Sequence, residues 1–443
     1  MIKKRDAEMH LEQRCSGDIM RRSAIVVSAV ALSLALVGCS SSGTQKEASN
    51  DGKDVQVVSW WAQGSEKIGF EALQKIFKEK QPNFKFVNAA VAGGGGSQAK
   101  QKLQADLDAG NPPDTFQAHA GAELTDYINA GQIEDVSSLY DELKLREVFP
   151  QTLIDRLTVN GKIYSVPSNI HRANVLWYNP NVLKEAGLDP NNIPTTMDAW
   201  IADMEKIKAA GKVPLTMGMN WTQTEVLESV LIADLGADGY NGLFDGKTDW
   251  SGPEVTKALE HFQKIVKLSQ IDSSADWEPA LNFVTKGKAA YNIMGDWAVA
   301  SFDAAKKKMG TDWNWAPVPG NQGIFAFLAD SFTLPKGAKN VKGAKAWLDV
   351  IASPEGQESF NKAKGSIPAR TDVDMSQFGD YQKQAMEDFK TNKIVSSIAH
   401  GAAVSLSVSS AINDAVVKFT QGQGKDVAGL QKDLVKATKS IKK

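Results

Sequence analysis

Apolar residues recur along this chain in two rhythms, short unbroken runs and stripes spaced three or four residues apart. A run at residues 54–60, Asp-Val-Gln-Val-Val-Ser-Trp, predicts a buried strand. Ile68, Ala72, Leu73, Ile76 and Phe77 then share one helical face, and Pro82 stops that helix. Residues 84–91 read as a second strand, Gly93 to Gly96 as a loop, and 97–109 as a helix ended by Gly110. Asn111-Pro112-Pro113 is a turn, 114–119 a third strand and 122–130 another helix. This alternation predicts a parallel α/β sheet covered by helices.

The pattern resumes after Tyr164. Residues 174–178 and 213–217 read as strands, with a helix between them that runs to Ala210 and starts at a capping pair, Thr195 and Asp198. Helical spacing dominates 222–285, a strand follows at 289–294, and 325–334 holds one or two more. The remainder reads as mostly helical, and no internal repeat is visible. Two α/β lobes follow. In open α/β sheets ligands bind beyond the carboxyl ends of the strands. Trp60, Trp61, His119, Trp221, Asp296 and Trp297 all fall at or just after such ends.

Composition narrows the classes. The 443 residues carry 50 Lys plus Arg against 52 Asp plus Glu, a net charge of −2, so no basic face argues for nucleic acid. Two cysteines, Cys15 and Cys39, make neither a disulfide framework nor a metal cluster. The start of the chain accounts for Cys39. Arg21 and Arg22 precede an apolar run over 24–37 that ends in Gly38-Cys39, the layout of a secretory signal and too short to span a bilayer comfortably. Leu36-Val37-Gly38-Cys39 resembles the lipobox of bacterial lipoproteins, which implies a lipid on Cys39. Residues 40–54 form a polar linker. The polar stretch before Met20 is foreign to a signal peptide, so translation is expected to start at Met20, and residues 1–38 are excluded from the fold.

Several residues carry candidate chemistry. Flat aromatic walls and fixed polar groups are what a sugar requires, since it has C–H faces and a hydroxyl rim. Trp60-Trp61 sits at a strand-to-turn junction, where adjacent side chains face opposite ways, so at most one is easily buried in the same sheet face, and the pair suits a pocket, with one or both packing into a core as the alternative. Trp221, Trp277 and Trp297 suit either packing or binding. His119 and His400 are lone histidines, and His171 beside Arg172 suits a hinge. The four glycines at 93–96 lack the Lys-Ser or Lys-Thr of a phosphate loop and fit close backbone approach to a ligand. Glu66, Asp296 and Asp330 could supply a glycosidase carboxylate pair, or simply accept hydroxyl hydrogen bonds. There is no metal-ligand spacing and no Gly-x-Ser-x-Gly elbow.

Five segments occur in order: Ser59-Trp60-Trp61, Gly110-Asn111-Pro112-Pro113-Asp114-Thr115-Phe116-Gln117, Gly287-Lys288-Ala289-Ala290, Met294-Gly295-Asp296-Trp297 and Ser353-Pro354-Glu355-Gly356. Together they resemble the extracellular sugar-binding proteins of ABC importers, the family 1 solute-binding proteins. Val166-Pro167-Ser168-Asn169-Ile170-His171-Arg172-Ala173-Asn174 and Lys364-Gly365-Ser366-Ile367-Pro368-Ala369-Arg370 are similar to the glucose, galactose and mannose-binding branch. The likeness runs from about Val55 to about Gly401.

The resemblance implies a two-lobed α/β fold of the type II periplasmic-binding-protein kind, with discontinuous lobes around a hinge and cleft. Residues 55–165 with about 325–370 would form one lobe, and 166–324 with about 371–443 the other. It implies a monomer outside the cytoplasmic membrane that binds a monosaccharide and delivers it to permease subunits, with no catalysis and no cofactor. It also implies ligand contacts. Trp60, Trp61 and Glu66 begin the first wall, and Gly94 and Gly95 supply the glycine loop. Gln117 and His119 stand at a strand end, and Trp221, Trp277 and Trp297 come from the second lobe. Asp330, Lys364 and His400 grip the sugar rim, with Asp330 and Lys364 able to pair. The competing readings are a lipid-anchored glycosidase and a sugar-binding module outside transport.

Overall fold

The computed structural model describes residues 52–93 and 96–441. The signal, Cys39, the linker up to Asp51, and Gly94 and Gly95 lie outside the described residues.

Among the described residues, three sheets of three or more strands organise the fold, beside a two-stranded pair at Thr158–Val159 and Lys162–Ile163. The first has five strands in the order Lys85–Asn88, Asp54–Val58, Thr115–His119, Asp330–Thr333, Ser165–Pro167. Its first three strands are parallel, and Asp330–Thr333 runs antiparallel to both of its neighbours. Val55 and Val57 are fully buried, and helix Gly64–Lys80 buries Phe70, Leu73, Ile76 and Phe77. Trp347 packs against Phe70, Phe77 and Phe86 with ring centroids 6.0, 5.6 and 5.1 Å away. Ile68, expected on the apolar stripe, is 48% exposed. Gly69 takes the covered position instead, and a Cβ there would meet the Phe360 ring at 3.1 Å.

The second sheet has the order Ser269–Ile271, Val213–Met217, Ala289–Ile293, Val175–Tyr178, Asn314–Pro317. Val175–Tyr178 is antiparallel to both of its neighbours. Both sheets are therefore mixed, not purely parallel as the strand–helix alternation suggested. The reason is that strands re-entering from the crossover segments approach the sheets from the opposite end. The helix before Val213 starts one residue later than expected, at Met197, because Thr196 Oγ1 accepts from Ala199 N at 3.4 Å.

A third, three-stranded sheet joins the two. It orders Lys393–Ser396, Ile324–Leu328 and His171–Arg172. The chain leaves the first sheet after Pro167, passes through His171–Arg172, and enters the second at Val175. It returns through Ile324–Leu328 to Asp330. Strands 314–317 and 393–396 escape a reading of apolar runs because each is only four residues long and half polar or exposed. Among the described residues no helix is long and apolar enough to cross a membrane.

Candidate functional site

Five tryptophans converge on one cavity. Trp60 and Trp61 follow the strand Asp54–Val58. Trp221 lies in the first turn of helix Asn220–Asp245, just after strand Val213–Met217. Trp277 opens helix Trp277–Thr285, and Trp297 precedes helix Ala298–Ala304. Each is placed by a strand end or helix start; periodicity located Trp60, Trp61, Trp221 and Trp297 in this way, and the family resemblance supplied Trp277. Trp60 carries Gly96 against its ring. Gly96, at φ 91°, would bring a Cβ to 2.7 Å of the indole, so only glycine fits there.

The polar lining comes from Glu66, His119, Asp330, Lys364 and His400, all expected, and from His171, which the sequence suggested only as a hinge residue. Leu328 and Ala399 complete it. Gln117 does not line the cavity. It sits behind, donating to Asp330 Oδ1 at 3.0 Å while its own Oε1 accepts from Ser59 Oγ at 2.6 Å and Trp60 N at 3.2 Å. It thus ties the tryptophan loop to the central carboxylate.

Asp330 begins its strand opposite His119. Its Oδ2 accepts from Asn169 Nδ2 at 3.0 Å and lies 3.2 Å from His171 Nε2, which is itself 2.8 Å from Asn169 Nδ2. Its backbone N donates to Asn169 Oδ1 at 2.8 Å. Burial alone would raise the Asp330 pKa, but the contacts and charge of His171, aided by His119 and Lys364, hold it well below the usual carboxylate range. His171 also binds Asp296 through Nδ1. Burial opposes its charge, yet the two carboxylates raise its pKa overall. Asp296, one candidate for a glycosidase pair, is fully buried and also accepts from Arg172 N at 3.1 Å, so it has no free edge for a substrate.

Lys364 pairs with Glu66 at 2.6 Å rather than with Asp330, which it affects through charge alone. Its Nζ lies 5.5 Å from the Trp61 ring and 5.8 Å from Trp297, between walls from the two main sheets. Burial raises the Glu66 pKa, and Lys364 only partly offsets this. His119 is backed by a buried pair. Glu123 Oε2 lies 2.8 Å from His119 Nδ1 and 2.8 Å from Lys100 Nζ. Burial would raise the Glu123 pKa, but Lys100 and His119 bring it down to about 2.

His400 joins the aromatic set, with centroids 5.1 Å from Trp297 and 5.4 Å from Trp221. Trp61 Nε1, Trp221 Nε1 and His400 Nε2 are buried and find no hydrogen-bond partner among the described residues. Buried polar atoms are normally paired. Unpaired ones that border a cavity are what a hydroxylated ligand would satisfy. No group of three or more His, Cys, Asp or Glu among the described residues is placed to hold a metal ion.

Comparison with known proteins completes the picture. The sequence profile of bacterial extracellular solute-binding proteins matches residues 63–358. An uncharacterised ABC transporter extracellular-binding protein of Pyrococcus horikoshii is 36% identical, covering 94% of this chain and 95% of that protein. A probable sugar-binding periplasmic protein of Mesorhizobium japonicum is 32% identical, covering 88% of this chain and 95% of its own. Among solved structures, the bacterial solute receptor AcbH, described as preferring β-D-galactopyranose, superposes with a TM-score of 0.76 at 18% identity. That match covers 88% of this chain and 99% of the receptor, and it speaks for the two-lobed fold.

Proposed function

This chain belongs to the bacterial extracellular solute-binding proteins, which are binding proteins and not enzymes, and we propose that its ligand is a monosaccharide, glucose or a closely related hexose, which it delivers to the permease subunits of an ABC importer. One observation carries the reading. Aromatic walls from both main sheets and a charged rim meet in a single cavity. Sugars are bound by such a combination, with C–H faces on indoles and hydroxyls on ionised groups. The names of the relatives at 36% and 32% identity support the ABC transporter and sugar assignments respectively.

The clamp works by bridging. Glu66, His119 and Asp330 belong to elements of the first sheet, and Trp221, Trp277 and Trp297 to elements of the second. A ring held by both sets favours the closed arrangement. Ser65 Oγ already meets Ser301 Oγ at 3.0 Å across that division, and Ser301 donates to Glu278 at 2.6 Å. Micromolar binding corresponds to about −8 kcal/mol. One or two indole faces and several charge-assisted hydrogen bonds suffice for that after ordering costs. The contacts proposed are Trp60, Trp61, Glu66, Gly94, Gly95, His119, Trp221, Trp277, Trp297, Asp330, Lys364 and His400, with Gln117 behind them. The proposed lobes are 55–165 with about 325–370 and 166–324 with about 371–443. A lipid on Cys39 would tether the protein outside the membrane as a monomer.

The test is a titration of protein beginning after Cys39 with glucose, galactose, mannose and maltose, followed by Trp fluorescence and heat. A saturable response to one monosaccharide, recovered unchanged, is expected. No response to any monosaccharide, or a response to maltose alone, overturns the ligand assignment.

A further inference from the structure

Glu228 lies outside the cavity, on helix Asn220–Asp245, and is fully buried. Its carboxylate accepts from Ser397 Oγ at 2.9 and 3.0 Å, from Ile398 N at 2.6 Å and from Ala399 N at 3.1 Å. Those three donors belong to the loop that carries Ala399 and His400 into the cavity. The two backbone donors both point at Oε2, so this oxygen is an obligate acceptor.

The Ser397 hydroxyl has one proton and two lone pairs. With its proton on Glu228, both lone pairs face His400, toward the backbone N at 3.3 Å and the ring Nδ1 at 2.9 Å. Nδ1 must then carry hydrogen. His400 is neutral, because burial and the nearby charges of His119 and His171 push its pKa well below that of an ordinary histidine. A neutral imidazole has a single N–H, so Nε2 is left bare. It is buried, borders the cavity and has no partner among the described residues.

We propose that Glu228, acting through Ser397, locks His400 in its Nδ1–H tautomer and so presents Nε2 to the cavity as an acceptor for a ligand hydroxyl. The inference rests on the cavity being the ligand site. Glu228 is a positioning residue here, since it touches the ligand only through the relay. A second donor at this place would clash with a sugar hydroxyl that is obliged to donate. The relay therefore decides which hydroxyl orientations the site accepts.

The discriminating variant is Glu228→Gln, which keeps size and shape. The two backbone N–H groups hold the amide oxygen in the place of Oε2, so the amide nitrogen faces Ser397. The hydroxyl then accepts from the amide nitrogen in the place of Oε1, 2.9 Å away, and is expected to turn its own proton toward His400 Nδ1 rather than to the amide oxygen 3.0 Å away. The ring responds by moving its hydrogen to Nε2. Nitrogen-15 NMR of histidine-labelled protein without sugar, at about pH 8.5 where Glu228 is ionised, reads this directly, with His400→Asn identifying the signal. The expected result is Nδ1–H in the parent and Nε2–H in Glu228→Gln, with glucose affinity lower by at least about tenfold. Ser397→Ala, which removes the relay, should also lose the lock. An Nε2–H ring in the parent, or an unchanged tautomer in both variants, overturns the proposal. A changed tautomer with unchanged glucose affinity overturns the acceptor role. Because the tautomer is read without sugar, failure of glucose to bind would count against the proposed function and leave the relay to be judged by NMR.

Discussion

His171 Nε2 stands 3.2 Å from Asp330 Oδ2, while its other ring nitrogen binds Asp296. Asp330 opens a strand of the first sheet, and Asp296 follows a strand of the second. One imidazole in the crossover thus joins carboxylates at the ends of both main sheets, directly beside the cavity. The sign of its pH dependence follows from linkage. The His171 pKa is raised on folding, so its contribution is complete below 6.5 and is lost as pH rises through the higher folded value. The Asp330 pKa is depressed, so its contribution is complete above 3.8 and is lost as pH falls toward the folded value. The stability lost in His171→Gln, about 3 kcal/mol for breaking a buried ion pair, should therefore peak between these two limits and shrink on either side. Urea unfolding of parent and variant across pH checks it.

Lys364→Met keeps the stem that packs between Trp61 and Trp297 but leaves Glu66 without its cation. A buried carboxyl then takes up a proton, and the hydroxyl acceptor is lost. Affinity for the hexose proposed above should fall about 100-fold, equivalent to about 2.7 kcal/mol. Calorimetry of the variant would show this as a lost binding isotherm with the melting transition retained.

Gly365 closes helix Pro354–Lys364 at φ 88°, and a Cβ there would come within 2.7 Å of Asp296 O. Gly365→Ala imposes about 1–2 kcal/mol of left-handed strain and wedges the helix end away from the Asp296 turn. Because that contact joins elements of the two main sheets, ligand affinity should drop by about tenfold or more, read as a rightward shift of the Trp fluorescence titration.

Burial pushes the Glu228 carboxyl up to about 7 despite its hydrogen bonds from Ala399, Ser397 and Ile398. Glu225 and Tyr240 on its own helix and His400 on the facing loop are the titratable groups around it. On the proposed relay, affinity for the proposed hexose should rise from pH 6 to pH 8 as Glu228 ionises through about 7. Fold stability from this group moves the other way. A raised carboxyl pKa contributes fully below 4.5 and loses its contribution as pH rises through about 7. Affinity and unfolding measured over the same buffers separate the two trends.

Acid should expose the His119 support. Glu123, held at about 2 by Lys100 and His119 against burial, contributes stability above 4.5 that fades as pH falls toward the folded value. In Glu123→Gln that part of the acid sensitivity disappears, so parent and variant curves should approach each other from pH 4.5 downward and converge only as pH falls through about 2.

Strands and helices were readable along the chain because apolar periodicity is a local property, felt over a few residues. That sufficed for the order of the longer elements and for Trp60, Trp61, Trp221 and Trp297 at strand ends, while Trp277 came from the family resemblance. The family motifs added Glu66, Asp330, Lys364 and His400. Nothing local marked Asn169, Lys100, Glu123 or Glu228, whose roles come from partners far along the chain. His171 was visible as a hinge candidate within its motif, but its contact with both Asp296 and Asp330 was not.

Local spacing settles the longer strands and helices and where most of the pocket's aromatic side chains leave them. Folding settles which charges meet. Lys364 finds Glu66 across 298 positions of sequence, and Gln117 reaches Asp330 across 213. Glu228 reaches Ser397 across 169. Such pairs form only after the crossover strands bring separate segments together, because Coulomb and hydrogen-bond energies depend on distance in space and leave no periodic trace in the chain.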